Sequence, residues 1–75
     1  MSIMEQPVKC RHPKGWTVWM IMRPARGMRN WVDVEAYRVM RNGEKRYGMM
    51  TVPVSDITEK DGIISLGGME FRVLE

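Results

Sequence analysis

Cysteine and histidine each occur once in this 75-residue chain, and each scarcity excludes something. A lone Cys10 cannot close an internal disulfide, whereas small domains of oxidising compartments usually depend on several. A reducing, cytoplasmic setting is therefore expected. Cys10 and His12 also fall short of the four ligands of a structural zinc site, so no metal is expected within one chain. As a nucleophile pair they would need facing side chains and a third group to orient the base. An exposed histidine and a half-buried thiol are the plainer reading.

Long apolar runs are missing too. The longest, V-W-M-I-M at 18–22, is far short of the roughly 20 residues of a membrane helix. The opening M-S-I-M-E-Q-P-V lacks a basic start leading into an apolar stretch, so it does not read as a signal peptide. Glycine-rich phosphate loops, the dinucleotide fingerprint and the serine elbow are absent. Asp33 and Glu35 suit the solvated edge of a sheet better than a catalytic carboxylate pair. The chain is expected to be no enzyme, to need no cofactor and to make no membrane contact.

What is present is one small domain. Apolar residues make up 44% and charged residues 28%, a globular balance. A chain this short buries only about 60% of the surface its unfolded form exposes, which leaves little apolar material for a deep pocket. The net charge is +3, but it is unevenly spread. Residues 1–50 hold ten Lys/Arg against four acids, and residues 51–75 hold two against five. Concentrated cations of this kind permit contact with nucleic acid or with an acidic protein.

Residues 1–15, with Pro7, Pro13 and Gly15 and no steady period, read as an irregular N-terminal arm. Residues 16–75 read as the β domain. From Trp16 the period is two: Trp16, Val18, Met20 and Met22 share one face, with Trp16 expected in the core, while Thr17, Trp19, Ile21 and Arg23 share the other. Trp19 and Ile21 make that second face apolar as well. The arm, a second copy of the chain meeting it as a homodimer, or a ligand is expected to cover it. A second strand at 31–40 puts Val32, Val34, Ala36 and Met40 on the core side and Trp31, Asp33, Glu35 and Tyr37 opposite.

Asn42-Gly43 then predicts a two-residue type I′ hairpin, with Arg41 facing Glu44, Ala36 facing Met49 and Arg38 beside Tyr47. The third strand should stop near Val52, since Pro53 cannot donate to a ladder. Residues 55–62 predict a helical turn capped by Ser55 or Asp56 and stopped at Gly62. A tight hairpin about Gly67-Gly68 pairs Leu66 with Met69 and gathers Ile64, Leu66, Met69, Phe71 and Val73 on one side. The expected fold is all-β: a five-stranded, partly open antiparallel barrel or curled sheet, in the order three-stranded meander, short helix, hairpin. That order resembles an OB-type barrel, with an SH3-like barrel as the alternative. No family motif accompanies the likeness, so it implies no function.

Function is read from R-P-A-R-G-M-R-N-W at 23–31. Arg23, Arg26 and Arg29 crowd one loop, where like charges repel and do nothing for folding. Guanidinium groups fork onto phosphate and stack on bases. Trp19, Trp31 and Tyr37 would supply stacking faces. Lys45 and Arg46 add a second basic tip, and Lys9, Arg11 and Lys14 line the flank. Aromatics among cations on a curved sheet suit single-stranded nucleic acid, alone or within a nucleoprotein complex. The same residue types also anchor protein interfaces, and nine methionines suit an adaptable one. The alternative is a compact interaction module or inhibitor that blocks a larger machine.

Overall fold

The alternating stretch that opens at Trp16 becomes a strand, and its two neighbours in space decide the shape of the molecule. The computed structural model describes residues 6–74. Its strands are β1 (Val8–Arg11), β2 (Thr17–Pro24), β3 (Trp31–Val39), β4 (Lys45–Pro53), β5 (Ile57–Lys60), β6 (Ile63–Leu66) and β7 (Met69–Val73), with a 3₁₀ turn at Val54–Asp56. All are antiparallel neighbours in one sheet ordered β4-β3-β2-β1-β7-β6-β5. The fold is all-β, as expected, but the described residues form seven strands rather than five. The sheet is open, with β4 and β5 as its edges, so the barrel expectation is corrected.

The inner face carries the core. Val18, Met20 and Met22 of β2, Val32 and Val34 of β3, Ile64 and Leu66 of β6 and Phe71 of β7 are buried in one cluster with Cys10 and Ile57. Four strand spacings separate β3 from β6, about 19 Å in a flat sheet. The two halves can share a core only because the sheet curls over, with short β1 at the crease. Cys10 sits at that crease, fully buried and opposite both Val18 and Val73. A small side chain fits where the two halves approach.

Three local expectations are corrected. The arm contains β1, in which Val8 and Cys10 face in and Lys9 and Arg11 face out; it extends the sheet beside β2 and does not cover the Trp19/Ile21 face. Residues 1–5 of the arm lie outside the described residues. The helical turn shrinks to Val54–Asp56 and has no side-chain cap. The rest of that segment is β5, joined to β6 through Asp61 (φ 52°) and Gly62 (φ 75°). Two consecutive positive φ angles define a type I′ turn, so Asp61-Gly62 begins a hairpin and stops no helix.

The third correction is a register shift. Asn42 does not have the positive φ that a type I′ turn requires, while Gly43 does (φ 88°). Gly43 N–H donates to Met40 O at 2.9 Å and Met40 N–H to Glu44 O at 2.8 Å. This is a type I turn with a left-handed glycine bulge, and Asn42 Oδ1 secures it by accepting from Glu44 N–H at 3.0 Å. The extra loop residue moves β4 by one. Tyr37 now faces Tyr47, Ala36 faces Gly48 and Arg38 faces Arg46. A one-residue slip exchanges the faces of a strand: Met50 and Val52 point inward, whereas Tyr47 and Met49 lie outside. The C-terminal hairpin follows expectation, with Leu66 opposite Met69 across Gly67-Gly68.

Candidate binding surfaces

The outer face of β2, β3 and β4 carries an aromatic row. Trp19 lies directly opposite Tyr37, and Tyr37 directly opposite Tyr47. Strands lie about 4.8 Å apart, so rings standing on opposite positions are brought into stacking range. Trp19 and Tyr37 stack at 5.4 Å between centroids with planes 12° apart. Tyr47 tilts against Tyr37 at 5.5 Å and 45°. Trp19 and Tyr37 are half-buried, while Tyr47 at the free end of the row is 61% exposed.

Cations flank the row. Lys45 Nζ sits 4.8 Å from the centre of the Tyr37 ring, within the range of a cation–π contact. Lys9 stands opposite Trp19 on the next strand. Arg11 follows it and faces Arg72 directly. Like charges in directly opposed positions cost stability, so folding alone gives no reason for that pair.

The arginine loop lies at the far end of the same strands. It is shaped by Met28 N–H to Ala25 O (3.5 Å), Trp31 N–H to Met28 O (3.3 Å) and Ala25 N–H to Trp31 O (3.0 Å), with Gly27 and Asn30 at positive φ. Arg23, Arg26 and Arg29 are all exposed. Arg23 stands opposite Asp33, and Arg23 and Arg26 line a shallow depression with Asp33 and Glu35. Asp33 is not at a sheet edge; its carboxylate accepts from Thr51 Oγ1 at 2.7 Å. Arg29 lines a different depression, with Met28 and Trp31. Trp31, 37% exposed, is six positions from Tyr37, about 20 Å along a strand.

The residues singled out from sequence therefore divide. Trp19, Tyr37 and Lys45 come together. Trp31 and Arg29 form a separate group, Arg23 and Arg26 lie beside carboxylates, and Arg46 is on the inner face, away from Lys45. Tyr47 and Lys9 complete the row, and Tyr47 escaped the sequence reading because the register slip had sent it inward.

A second feature opens on the inner face. A cleft of about 390 Å³ is lined from β3 and β4 on one side and from Leu66, Met69 and Phe71 on the other. Trp16 stands at its rim, 36% exposed, which corrects its assignment to the core. Its indole stacks on His12 at 4.4 Å, and the Arg38 guanidinium carbon lies 4.2 Å from its ring centre. Arg46, directly across from Arg38, shares the rim.

The Cys10 and His12 pair has the wrong environment for nucleophilic chemistry. Burial pushes the Cys10 thiol above its ordinary range, which disfavours the thiolate. Its Sγ–H points to Val8 O at 3.6 Å. Desolvation, then the charges of Lys14 and Arg38, push the His12 imidazole below its ordinary value. Its Nδ1 accepts from Lys14 N–H at 3.0 Å. Among the described residues no group of three or more His, Cys, Asp or Glu is placed to hold a metal ion. No helix among them is long and apolar enough to cross a membrane. No family model, curated protein or solved structure matches the chain.

Proposed function

We propose that this chain is a small, non-enzymatic binding protein that holds single-stranded nucleic acid on the outer face of β2, β3 and β4. The observation that carries the reading is the row Trp19–Tyr37–Tyr47 with Lys45 seated against Tyr37. A cross-strand aromatic row stabilises any sheet. Cations gathered on both flanks of it do not, and they suit a phosphate backbone running past stacked bases. Lys45, Lys9 and Arg11 are the phosphate contacts in this reading, and the 23–31 loop is a secondary contact partly offset by Asp33 and Glu35.

Titration of a mixed-sequence single-stranded oligonucleotide against indole fluorescence tests it. Three phosphate contacts give a log–log salt slope of about −2, and a loss of roughly 20-fold between 50 and 200 mM salt. No binding at low salt, or binding indifferent to salt, ends the reading. A second reading, a protein-interaction module or inhibitor, is favoured by the exposure of Met49 (72%), Met28 (45%) and Met50 (38%). A partner retained from nuclease-treated lysate by the wild type and lost with Tyr47→Ala would support that reading over the first.

A further inference from the structure

The two edges of the sheet are finished differently. β5 is short, and Thr58, Glu59 and Lys60 are exposed along it; short length and charge are the usual protections of an edge. β4 runs for nine residues, and between Arg46 and Pro53 it carries no charge at all. Even-numbered residues of β4 turn their backbone groups toward β3. This follows from the bonds that bracket the strand, Met40 N–H to Glu44 O and Val54 N–H to Asn30 O, both 2.8 Å. The N–H and C=O groups of Lys45, Tyr47, Met49 and Thr51 therefore point away from the sheet, where no strand among the described residues pairs with them.

We propose that β4 pairs antiparallel with the β4 of a second copy about a two-fold axis at Met49, joining the two sheets into one. The strand spans 45–53, so this axis lies at its midpoint and uses its whole length. Met49 faces Met49 of the second copy, and Tyr47 faces Thr51. The outward-pointing residues then meet one another, as antiparallel bonding requires. Lys45 and Arg46 face Pro53 and Val52, so the cations of the two copies stay apart. Pro53, which has no N–H, falls at the end of the ladder.

On the inner face the same register sets Met50 against Gly48. A Cβ on Gly48 would meet nothing within 4 Å, and both residues line the open cleft. Met50 of each copy covers the bare backbone of the other and closes the side of its cleft. An unrelated extended peptide would satisfy the backbone equally well. The match of Met50 to Gly48 and the separation of the cations favour a second copy. The dimer extends the aromatic rows onto one shared surface, but its existence does not depend on nucleic-acid binding.

Sedimentation equilibrium over a concentration series is expected to show the 8.8 kDa monomer giving way to twice that mass. Met49→Cys is expected to form a covalent dimer on mild oxidation, because directly bonded antiparallel residues have Cα atoms about 5.5 Å apart, inside the disulfide range. Met50→Cys is expected not to. Its two copies are offset by two residues and lie about 8 Å apart, beyond that range. Met49→Pro removes only an outward N–H, leaving the ladder to β3 intact, and is expected to restore the monomer mass. A wild type that stays at monomer mass throughout overturns the proposal. So does cross-linking of Met50→Cys as readily as Met49→Cys, and that test is unaffected if the proline variant misfolds.

Discussion

The indole of Trp19 and the phenol ring of Tyr37 cover one another across β2 and β3, with centroids 5.4 Å apart and planes 12° from parallel. Each ring therefore serves both the sheet and whatever docks on it. Tyr47, 61% exposed at the end of the row, is the member that can be removed with least harm to the fold. Tyr47→Ala is expected to lower stability in urea by less than about 1 kcal/mol. The same change should weaken oligonucleotide binding by about 1–3 kcal/mol, roughly 5- to 150-fold. Trp19→Ala should lower both together, since a stacked pair contributes about 0.5–1.5 kcal/mol beyond its burial. Unchanged binding by a folded Tyr47→Ala protein would remove that ring from the site.

Charge reversal separates the row from the arginine loop. Lys45 touches the Tyr37 ring, whereas Arg26 shares its depression with Asp33 and Glu35. Lys45→Glu is expected to cost more affinity than Arg26→Glu, and to make the salt slope shallower by about 0.7. The opposite ranking, measured by the same fluorescence titration, would move the binding centre to the loop.

Two glycines should respond with opposite signs. Gly62 holds φ at 75° in the Asp61-Gly62 turn, a left-handed conformation that costs a residue with a Cβ about 1–2 kcal/mol. Gly62→Ala is expected to destabilise by that amount. Gly48 has no such requirement and has free space where a Cβ would go. Gly48→Ala is expected to stabilise the isolated chain by about 0.5–1 kcal/mol through lower unfolded-state entropy. Urea midpoints at dilute protein concentration check both.

Stability should also depend on the protonation of His12. Its folded value lies below the ordinary imidazole value, through desolvation first and then the charges of Lys14 and Arg38. A depressed value means that the unfolded chain binds the proton more readily, so stability rises with pH across that window. The contribution is complete above about pH 6.5, the unperturbed value, and is lost as pH falls through the lower folded value. The difference in urea midpoint between wild type and His12→Gln should follow that course. A difference that stays constant with pH would contradict it.

Much of the fold was legible because period-two alternation is unambiguous where only one face is apolar. Ile64, Leu66, Met69, Phe71 and Val73 gather as expected, and β3 turns Val32, Val34 and Ala36 inward. In β2, whose outer face mixes Trp19 and Ile21 with Thr17 and Arg23, Val18, Met20 and Met22 lie inside as expected but Trp16 does not join them. β4 was misread because both of its faces are apolar: Tyr47 and Met49 alternate with Met50 and Val52, so the pattern cannot choose a register. The choice fell to the turn, and Asn42-Gly43 fits either a two-residue or a bulged loop. Gly62, read as a helix stop, is the second residue of the type I′ turn Asp61-Gly62, and apolar residues at Ile57, Ile63 and Ile64 on either side of it were the available signal. In the arm, V-K-C-R alternates cleanly, but at four residues it is short enough to be hidden by Pro7 and Pro13. The candidate site changed for the same reason, since the register slip had turned Tyr47 away from Tyr37.

The thiol at the crease makes the molecule its own reporter. Cys10 is sealed at the line where the two halves of the sheet part company, so an alkylating reagent reaches it only when those halves separate. The rate of its labelling in native buffer, divided by that of a free thiol, therefore reads the free energy of that opening when closing outpaces alkylation, with no residue changed.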